Sequence, residues 1–223
     1  EKTALAVRHH AYGNPADVPM RPADPAANVG IQYTSGTTSR PKGVVWTHAN
    51  ALWGAKLCAM NETLTPNDVH LVYLPLFHTN AQSYSVLATL WVGGTIVVQP
   101  RFSASRFWEV SLRHRCTWTS MVPFCLRALA AHEVPAMHDY RLWANGVASL
   151  PTDAHFRVKT IGWWGMTETI THGIVSDPFV PAPAMSIGKP SPAYEIAITH
   201  DDGSPVELGE TGALLIRGIP GQI

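Results

Sequence analysis

The chain has 223 residues, of which 46% are hydrophobic and 14% are charged. This length predicts one or two globular domains with a sizeable core. The 16 basic and 16 acidic side chains cancel, which argues against a broad basic surface for nucleic acid or an anionic membrane. Any phosphate group must therefore bind at a local site, and we expect no nucleic-acid partner.

The cysteines and the apolar segments indicate a cytoplasmic protein. The three cysteines form no Cys-x-x-Cys pair, and a reducing compartment is the simplest explanation for an odd number. Residues 1–10 lack the apolar core of a secretory signal. The longest apolar run, Val86–Val98, is too short to span a bilayer and is interrupted by two glycines. We therefore expect no integral membrane segment.

The predicted elements alternate along the chain. Four prolines between Gly13 and Val29 predict an extended linker, and a short strand ends at Tyr33. Thr47 is a candidate N-cap for a helix that ends near Asn61. The next predicted strands are Val69–Leu74, Gly94–Gln99, Thr117–Val122, Tyr140–Ala144 and Val158–Trp163. The next predicted helices are Ala81–Trp91, Ser105–Arg115 and Pro123–His132.

This alternation predicts an α/β fold, a doubly wound and mostly parallel sheet with helices on both faces. Beyond it, strands at Tyr194–Thr199 and Gly212–Arg217 flank a hairpin-type turn, which predicts a small β-rich subdomain. We expect three parts: a partial N-terminal segment with the linker (residues 1–29), the α/β core (30–190) and the β-rich piece (191–223).

The loop from Thr34 to Lys42 is the first candidate site. It is dense in hydroxyl side chains and closes with a lysine, which suits it to holding a polyphosphate. It is not the common P-loop, because Pro41 and Gly43 flank the lysine where that motif has Gly and Ser or Thr. A Ser/Thr-rich surface turn is the alternative. The predicted layout places the loop at the carboxyl end of a strand, where open α/β sheets bind ligands.

A second candidate site lies in the stretch Ile161–Thr169. An aromatic residue at a strand end, then glycine, then Thr167 and Glu168, combine a stacking face, a tight turn, a hydroxyl and a carboxylate. Taken alone, a Thr-Glu pair is more often a helix cap than a metal site.

Both stretches resemble motifs of the adenylate-forming enzymes, the family of acyl-CoA synthetases, luciferases and adenylation domains. Thr-Ser-Gly-Thr-Thr-x-x-Pro-Lys-Gly resembles their phosphate loop, with Ser39 where the family usually has glycine. Aromatic-Gly-Met-Thr-Glu is similar to a second family motif in the same order. The resemblance implies that Trp164 packs on adenine, that Thr167 hydrogen-bonds the α-phosphate and that Glu168 holds Mg²⁺, a hard ion suited to a carboxylate and phosphate oxygens.

Weaker resemblances extend this assignment. Pro75–Asn80 is similar to a segment whose histidine, here His78, lies beside the acyl tunnel, although a loop histidine is often only solvated. Asn145–Ala148 matches a turn that lines the adenine pocket, and a simple strand-exit turn is the alternative. The implied catalytic residues are Lys42, Thr167, Glu168 and His78. The implied nucleotide-binding residues are Thr34, Ser35, Gly36, Thr37, Thr38, Ser39, Lys42, Gly146, Val147, Ala148, Trp163, Trp164, Gly165, Met166 and Thr167.

The resemblance implies an ATP- and Mg²⁺-dependent ligase that joins a small carboxylic acid to coenzyme A through an acyl-adenylate. Ser39-Arg40, Gly165–Ile170 and Arg217–Gly221 are most similar to the carnitine or crotonobetaine–CoA ligase type. These residues do not reveal the acid, or whether the thiol belongs to coenzyme A or to a carrier protein. They also leave the oligomeric state open, a homodimer being one alternative.

Two other hypotheses remain open at this stage. The family's ribose-binding Asp, hinge and C-terminal domain with a catalytic Lys lie beyond the region that resembles this chain. If the polypeptide ends at Ile223, we expect little or no adenylation. It would then be an inactive module that binds or senses ATP or AMP. The third hypothesis is a structural α/β fragment whose loop binds nothing.

Overall fold

A seven-stranded sheet dominates the computed structural model, which describes residues 22–34 and 40–219. Its strand order is β4-β3-β5-β6-β7-β8-β9. Pairing from β4 through β7 is parallel, whereas β7–β8 and β8–β9 are antiparallel. These strands are β3 (Val69–Val72), β4 (Thr95–Val98), β5 (Trp118–Ser120), β6 (Leu142–Asn145), β7 (Lys159–Gly165), β8 (His172–Val175) and β9 (Lys189–Pro190).

The predicted helices are present, with shifted ends. The helices are α1 (His48–Asn61), α2 (Ala88–Trp91), α3 (Ala104–Arg113), α4 (Pro123–Leu129) and α5 (Leu150–Phe156). A wider π-helical segment, Asn80–Leu87, leads directly into α2, so the helix predicted at Ala81–Trp91 has two parts. Thr47 caps α1 as predicted, because its hydroxyl accepts a hydrogen bond from the Asn50 amide at 3.2 Å.

Helices cover both faces of the sheet, which confirms the predicted doubly wound arrangement. Successive β6 residues point to opposite faces, as they must in an extended strand. Trp143 packs into the core layer formed with α3, α4 and α5. Leu142 and Ala144 pack into the other layer, with α1 and the π-helical segment.

Two further strand pairs stand apart from this sheet. The first is the antiparallel hairpin of β1 (Asn28–Thr34) and β2 (Lys42–Thr47), in which Thr34 pairs with Lys42. The second is β10 (Tyr194–Thr199) with β11 (Ala213–Gly218), at the predicted β-rich piece. The candidate loop therefore follows a strand, as predicted, but that strand belongs to a hairpin and not to the parallel sheet.

Three elements were not predicted from the sequence. The strands β8 and β9 extend the sheet beyond β7 with reversed direction. The helix α5 has proline in its first turn and Ser149 as N-cap. Its seven residues are too few to show a clear helical period. Among the described residues, no helix has both the length and the apolar character needed to cross a membrane.

Candidate active site

A cavity of about 370 Å³ opens at the carboxyl edge of the parallel strands. Chain segments that follow β3, β5 and β6 line it together with the end of β7. This edge is where open α/β sheets bind ligands, because the strand exits diverge there. The lining residues are His78, Thr79, Asn80, Tyr84, Met121, Val122, Pro123, Gly146, Trp163, Trp164, Gly165, Met166 and Thr167.

Seven predicted site residues meet at this cavity: His78, Gly146, Trp163, Trp164, Gly165, Met166 and Thr167. Thr34, Lys42, Val147 and Glu168 are described but do not line it. Ala148 lines a different cavity, of about 300 Å³, on the other side of its turn. The predicted loop residues Ser35, Gly36, Thr37, Thr38 and Ser39 lie outside the described residues.

Sequence reasoning missed several lining residues. Asn80 and Tyr84 lie on the π-helical segment two and six residues after His78. Met121, Val122 and Pro123 follow β5 directly. The available signal was positional, since residues that follow any parallel strand of one sheet emerge at the same edge. That rule would have selected the β5 exit once β5 and β7 were assigned to one sheet.

Trp163 and Trp164 point to opposite faces of β7. Trp163 is buried, and its ring stacks on the His172 ring at 4.3 Å and 18° between planes. Trp164 lies over Gly173, where an added Cβ would sit 3.3 Å from its ring. The two indoles are therefore fixed by different neighbours, and Trp163 forms a rigid wall of the cavity.

Gly165 allows the chain to pass close to Tyr84. A Cβ at this position would lie 2.3 Å from the Tyr84 hydroxyl oxygen and 2.7 Å from the Thr171 carbonyl oxygen. That hydroxyl donates a hydrogen bond to the same carbonyl at 3.3 Å. Burial raises the pKa of Tyr84 well above its ordinary value, so the phenol remains a neutral donor.

The turn after Gly165 is organised by Thr169. Its hydroxyl oxygen accepts from the Met166 amide at 3.1 Å and lies 2.8 Å from the Thr171 carbonyl oxygen. Ile170 then takes a left-handed conformation with φ of 57°, which is uncommon for a β-branched residue. The short 3₁₀ turn Thr167–Thr169 therefore has a fixed conformation and presents Thr167 to the cavity.

The hairpin that carries Lys42 docks against this turn. The Trp46 indole N–H donates to the Thr167 carbonyl oxygen at 3.2 Å. Alternation along β2 puts Lys42 on the same face of the hairpin as Trp46. The opposite face, with Ile31 and Tyr33, is exposed. Lys42 therefore projects from the side of the hairpin that faces the cavity-bearing part of the fold.

The exit of β6 forms a second fixed turn. The Gly146 amide donates to the Asn145 side-chain oxygen at 2.8 Å, and the Ala148 amide donates to the Ser186 carbonyl at 3.0 Å. Val147 lies between these two anchors and is half-buried. Gly146 is the member of this turn that reaches the cavity.

The comparisons with known proteins decide the family. The sequence model described as AMP-binding enzyme matches residues 2–221. The chain belongs to this AMP-binding enzyme family. The fold is the one expected from the resemblance to adenylate-forming enzymes, and the recognition of the family from sequence is confirmed.

Three relatives of this AMP-binding chain are named ligases or synthetases. It is 35% identical to a crotonobetaine/carnitine–CoA ligase of Shigella sonnei, over 86% of this chain and 39% of the relative. It is also 35% identical to a sulfoacetate–CoA ligase of Cupriavidus necator, over 96% and 43%. The structure of o-succinylbenzoate coenzyme A synthetase from Bacillus subtilis, in complex with ATP and magnesium ion, superposes with a TM-score of 0.75 at 32% identity, over 87% and 42%.

The chain spans about two-fifths of the length of these relatives. The activity of a whole enzyme is therefore a matter for proposal.

Proposed function

We propose that this chain is the nucleotide-binding core of an ATP-dependent acid–thiol ligase, which makes an acyl-adenylate and then a thioester with coenzyme A. One observation carries the proposal: Gly146 and the Trp163–Thr167 segment, from two separate motifs, converge on one cavity at the carboxyl edge of the sheet. The names of the relatives support the same reaction class.

The reaction has two balanced steps. A carboxylate oxygen of the acid attacks the α-phosphorus of ATP, the bond to the bridging oxygen breaks, and pyrophosphate leaves. The thiol of coenzyme A, losing its proton, then attacks the acyl carbon and displaces AMP. Transfer of this kind depends on positioning and charge neutralisation more than on a side-chain nucleophile.

The proposed roles combine the resemblance to the family's motifs with the position of each residue. Trp164 packs on adenine, and Gly146 lets the base approach the strand exit without a side chain in the way. Thr167 donates to the α-phosphate from its fixed 3₁₀ turn. Lys42, on the docked hairpin, supplies a positive charge to the leaving phosphates. His78, exposed at the cavity mouth, contacts the acid.

The remaining nucleotide-binding assignments are proposals of the same kind. Thr34 pairs with Lys42 at the base of the loop, so its hydroxyl faces the phosphates with the lysine. Ser35, Gly36, Thr37, Thr38 and Ser39 would surround the β- and γ-phosphates.

Glu168 fits a magnesium ligand. Its carboxylate is exposed at the turn beside Thr167 and forms no salt bridge with any residue of the described ranges. A hard cation that keeps several waters needs only one such carboxylate beside phosphate oxygens. When bound, Mg²⁺ supplies neutralisation of the charge that develops on the phosphates.

We further propose a cytoplasmic setting. Cys58, Cys116 and Cys125 are all free and buried, which suits a reducing compartment.

Acid-dependent release of pyrophosphate tests the ligase. The protein is assayed with ATP and Mg²⁺ against a panel of short carboxylic acids, with and without coenzyme A. Release that requires one acid, and a thioester formed only with coenzyme A, is the expected result. Nucleotide binding without acid-dependent release would instead favour the module that only holds or senses ATP or AMP. No nucleotide binding at all would refute both.

Matched variants test the residue roles. Lys42→Ala and Glu168→Ala should each lower turnover at least about 100-fold, because each removes charge neutralisation at the transferring phosphates. Lys56→Ala and Glu133→Ala remove the same charges at exposed positions away from the cavity and should leave turnover unchanged. Circular dichroism confirms that each variant is folded. Full activity of Glu168→Ala would rule out its role as the metal ligand.

A further inference from the structure

The strongest group of ligand-type side chains outside the nucleotide site is a buried cluster of Cys58, Glu62 and His172. All three residues are completely buried. Each offers one potential metal-binding atom, and these atoms lie within 4.8 Å of one another. Cys58 and Glu62 are four residues apart at the end of α1, so they share one helix face. His172 begins β8 and approaches them from the sheet.

The cluster contains polar atoms that have no partner among the described residues. Both carboxylate oxygens of Glu62 and the Nε2 atom of His172 are buried and form no hydrogen bond within residues 22–34 and 40–219. The separation of His172 Nε2 and Glu62 Oε1 is 3.4 Å, which is long for a hydrogen bond. Buried polar groups are rarely left unpaired, because each pays the full loss of its hydration. Three orphan atoms that face one another therefore point to a missing partner.

We propose that Cys58, Glu62 and His172 bind a zinc ion that joins α1 to β8. Thiolate, imidazole and carboxylate are all zinc ligands, whereas a thiolate disfavours magnesium. One thiolate and one carboxylate carry two negative charges, so a divalent ion makes the buried group neutral. Such neutrality is what allows charged ligands to lie in a core.

The distances agree with this assignment. Ligands about 2.0–2.1 Å from zinc in a tetrahedron are about 3.3 Å apart, close to the Nε2–Oε1 separation. All three ligand atoms lie within 4.8 Å of one another, so the thiol would need to move by at most about 1.3 Å to complete the site, because the S–Zn bond is about 2.3 Å.

A neighbouring side chain can orient the histidine. The Asn61 amide lies 3.5 Å from Nδ1 of His172. If Nε2 binds the ion, Nδ1 carries the proton, and Asn61 turns its amide oxygen to accept it. The His172 ring also stacks on Trp163, which lines the cavity. By fixing His172, the ion would fix the position of Trp163 without touching a nucleotide.

Metal analysis of the protein, purified without a histidine tag from zinc-supplemented cells, is the deciding experiment. About one zinc per chain that survives dialysis is expected. Because the site is closed to solvent, an apo sample is also refolded with zinc alone. Zinc at about 100 times Kd should raise Tm by about 5–10 °C over the metal-free protein. Cobalt in its place should give a thiolate-to-metal absorption band, which a nonspecific surface site lacks.

Variants separate a specific site from adventitious zinc. Cys58→Ser and His172→Gln should each reduce the zinc bound per chain at least about tenfold. Cys116 is a buried cysteine in the opposite core layer, so Cys116→Ser should keep the wild-type zinc content. If a cluster variant does not fold, the wild-type zinc content and refolding arms still decide the question. No zinc in either arm would overturn the proposal and identify the cluster as a protonated Glu62 paired with a neutral His172. Failure of ligase activity with zinc present would leave this site standing.

Discussion

Replacing Gly165 with alanine tests the geometry of the candidate site most directly. The new methyl group would lie 2.3 Å from the Tyr84 hydroxyl oxygen and 2.7 Å from the Thr171 carbonyl oxygen. The backbone of Gly165 does not have a positive φ, so no backbone strain adds to the effect of this clash. Overpacking costs about 1–3 kcal/mol and the broken Tyr84 hydrogen bond about 1 kcal/mol more. We expect Gly165→Ala to lower the free energy of unfolding by about 3 kcal/mol, which lowers Tm by about 6–12 °C.

A double-mutant cycle identifies the source of that loss. Tyr84→Phe alone removes one long hydrogen bond of 3.3 Å and should cost about 1 kcal/mol or less. In the Tyr84→Phe background the closest tyrosine atom to the new methyl group is the ring carbon at 3.4 Å, so Gly165→Ala should cost about 1 kcal/mol less than in the wild type. Urea unfolding followed by tryptophan fluorescence measures both steps.

The matched control is Gly146→Ala, at the same cavity. An added Cβ there has no heavy atom within 4 Å, so stability should change by less than about 0.5 kcal/mol. An equal cost of Gly165→Ala with and without the Tyr84 hydroxyl would show that the two residues do not meet, and would refute the packing described for this wall.

Two other perturbations test the ion pair between Asp68 and Arg141 and the docking of the β1–β2 hairpin. Asp68→Asn should lower the free energy of unfolding by about 2–4 kcal/mol, because Arg141 donates to the two Asp68 oxygens at 2.7 and 2.8 Å. The control Asp139→Asn breaks only an exposed ion pair with Arg115 and should lower it by less than about 0.5 kcal/mol. Burial acts to raise the pKa of Asp68, but hydrogen bonds from Arg141 and other donors lower it overall. Its stabilisation is therefore present above pH about 4 and lost as pH falls through the folded pKa, an acid dependence that urea titrations of Asp68→Asn should lack. Trp46→Phe removes the hydrogen bond to Thr167 and should weaken nucleotide binding several-fold by calorimetry; because Trp46 is buried, the substitution should also cost about 1–3 kcal/mol of stability. Unchanged affinity would show that docking of the hairpin does not matter.

The sequence allowed the parallel sheet to be predicted because its signals are local. Capping at Thr47, the proline that opens α4 and the alternation of short apolar runs with helix-length segments each mark an element without knowledge of its partners. Strand ends were less accurate, and β5 is limited to Trp118–Ser120 because pairing with neighbours, not apolar content, sets its length.

The direction and partner of a strand are not encoded locally. The segment before the Thr34–Lys42 loop has the pattern of an ordinary strand, but its pairing, from Gln32 with Val44 to Thr34 with Lys42, makes it part of a hairpin. Likewise, β8 was missed because it begins with His172, a residue whose burial depends on α1 and Trp163. Motif residues at the β7 end were found from the sequence, whereas Tyr84 was not, since only the fold brings it against Gly165.

The register between β6 and β7 explains why the two motifs that reach the cavity meet. Asn145, the last residue of β6, pairs with Gly162, so Gly146 leaves the sheet beside Trp163, where β7 continues to Gly165. Gly162 is essential to this crossing, because an added Cβ would lie 2.3 Å from the Ser186 carbonyl oxygen and 2.9 Å from the Ala148 amide. The hydrogen bond from the Ala148 amide to the Ser186 carbonyl oxygen therefore passes directly over Gly162, which has no side chain. Any side chain at Gly162 would collide with the Ala148–Ser186 hydrogen bond that anchors the Gly146 turn, so a glycine that does not line the cavity helps to position part of its wall.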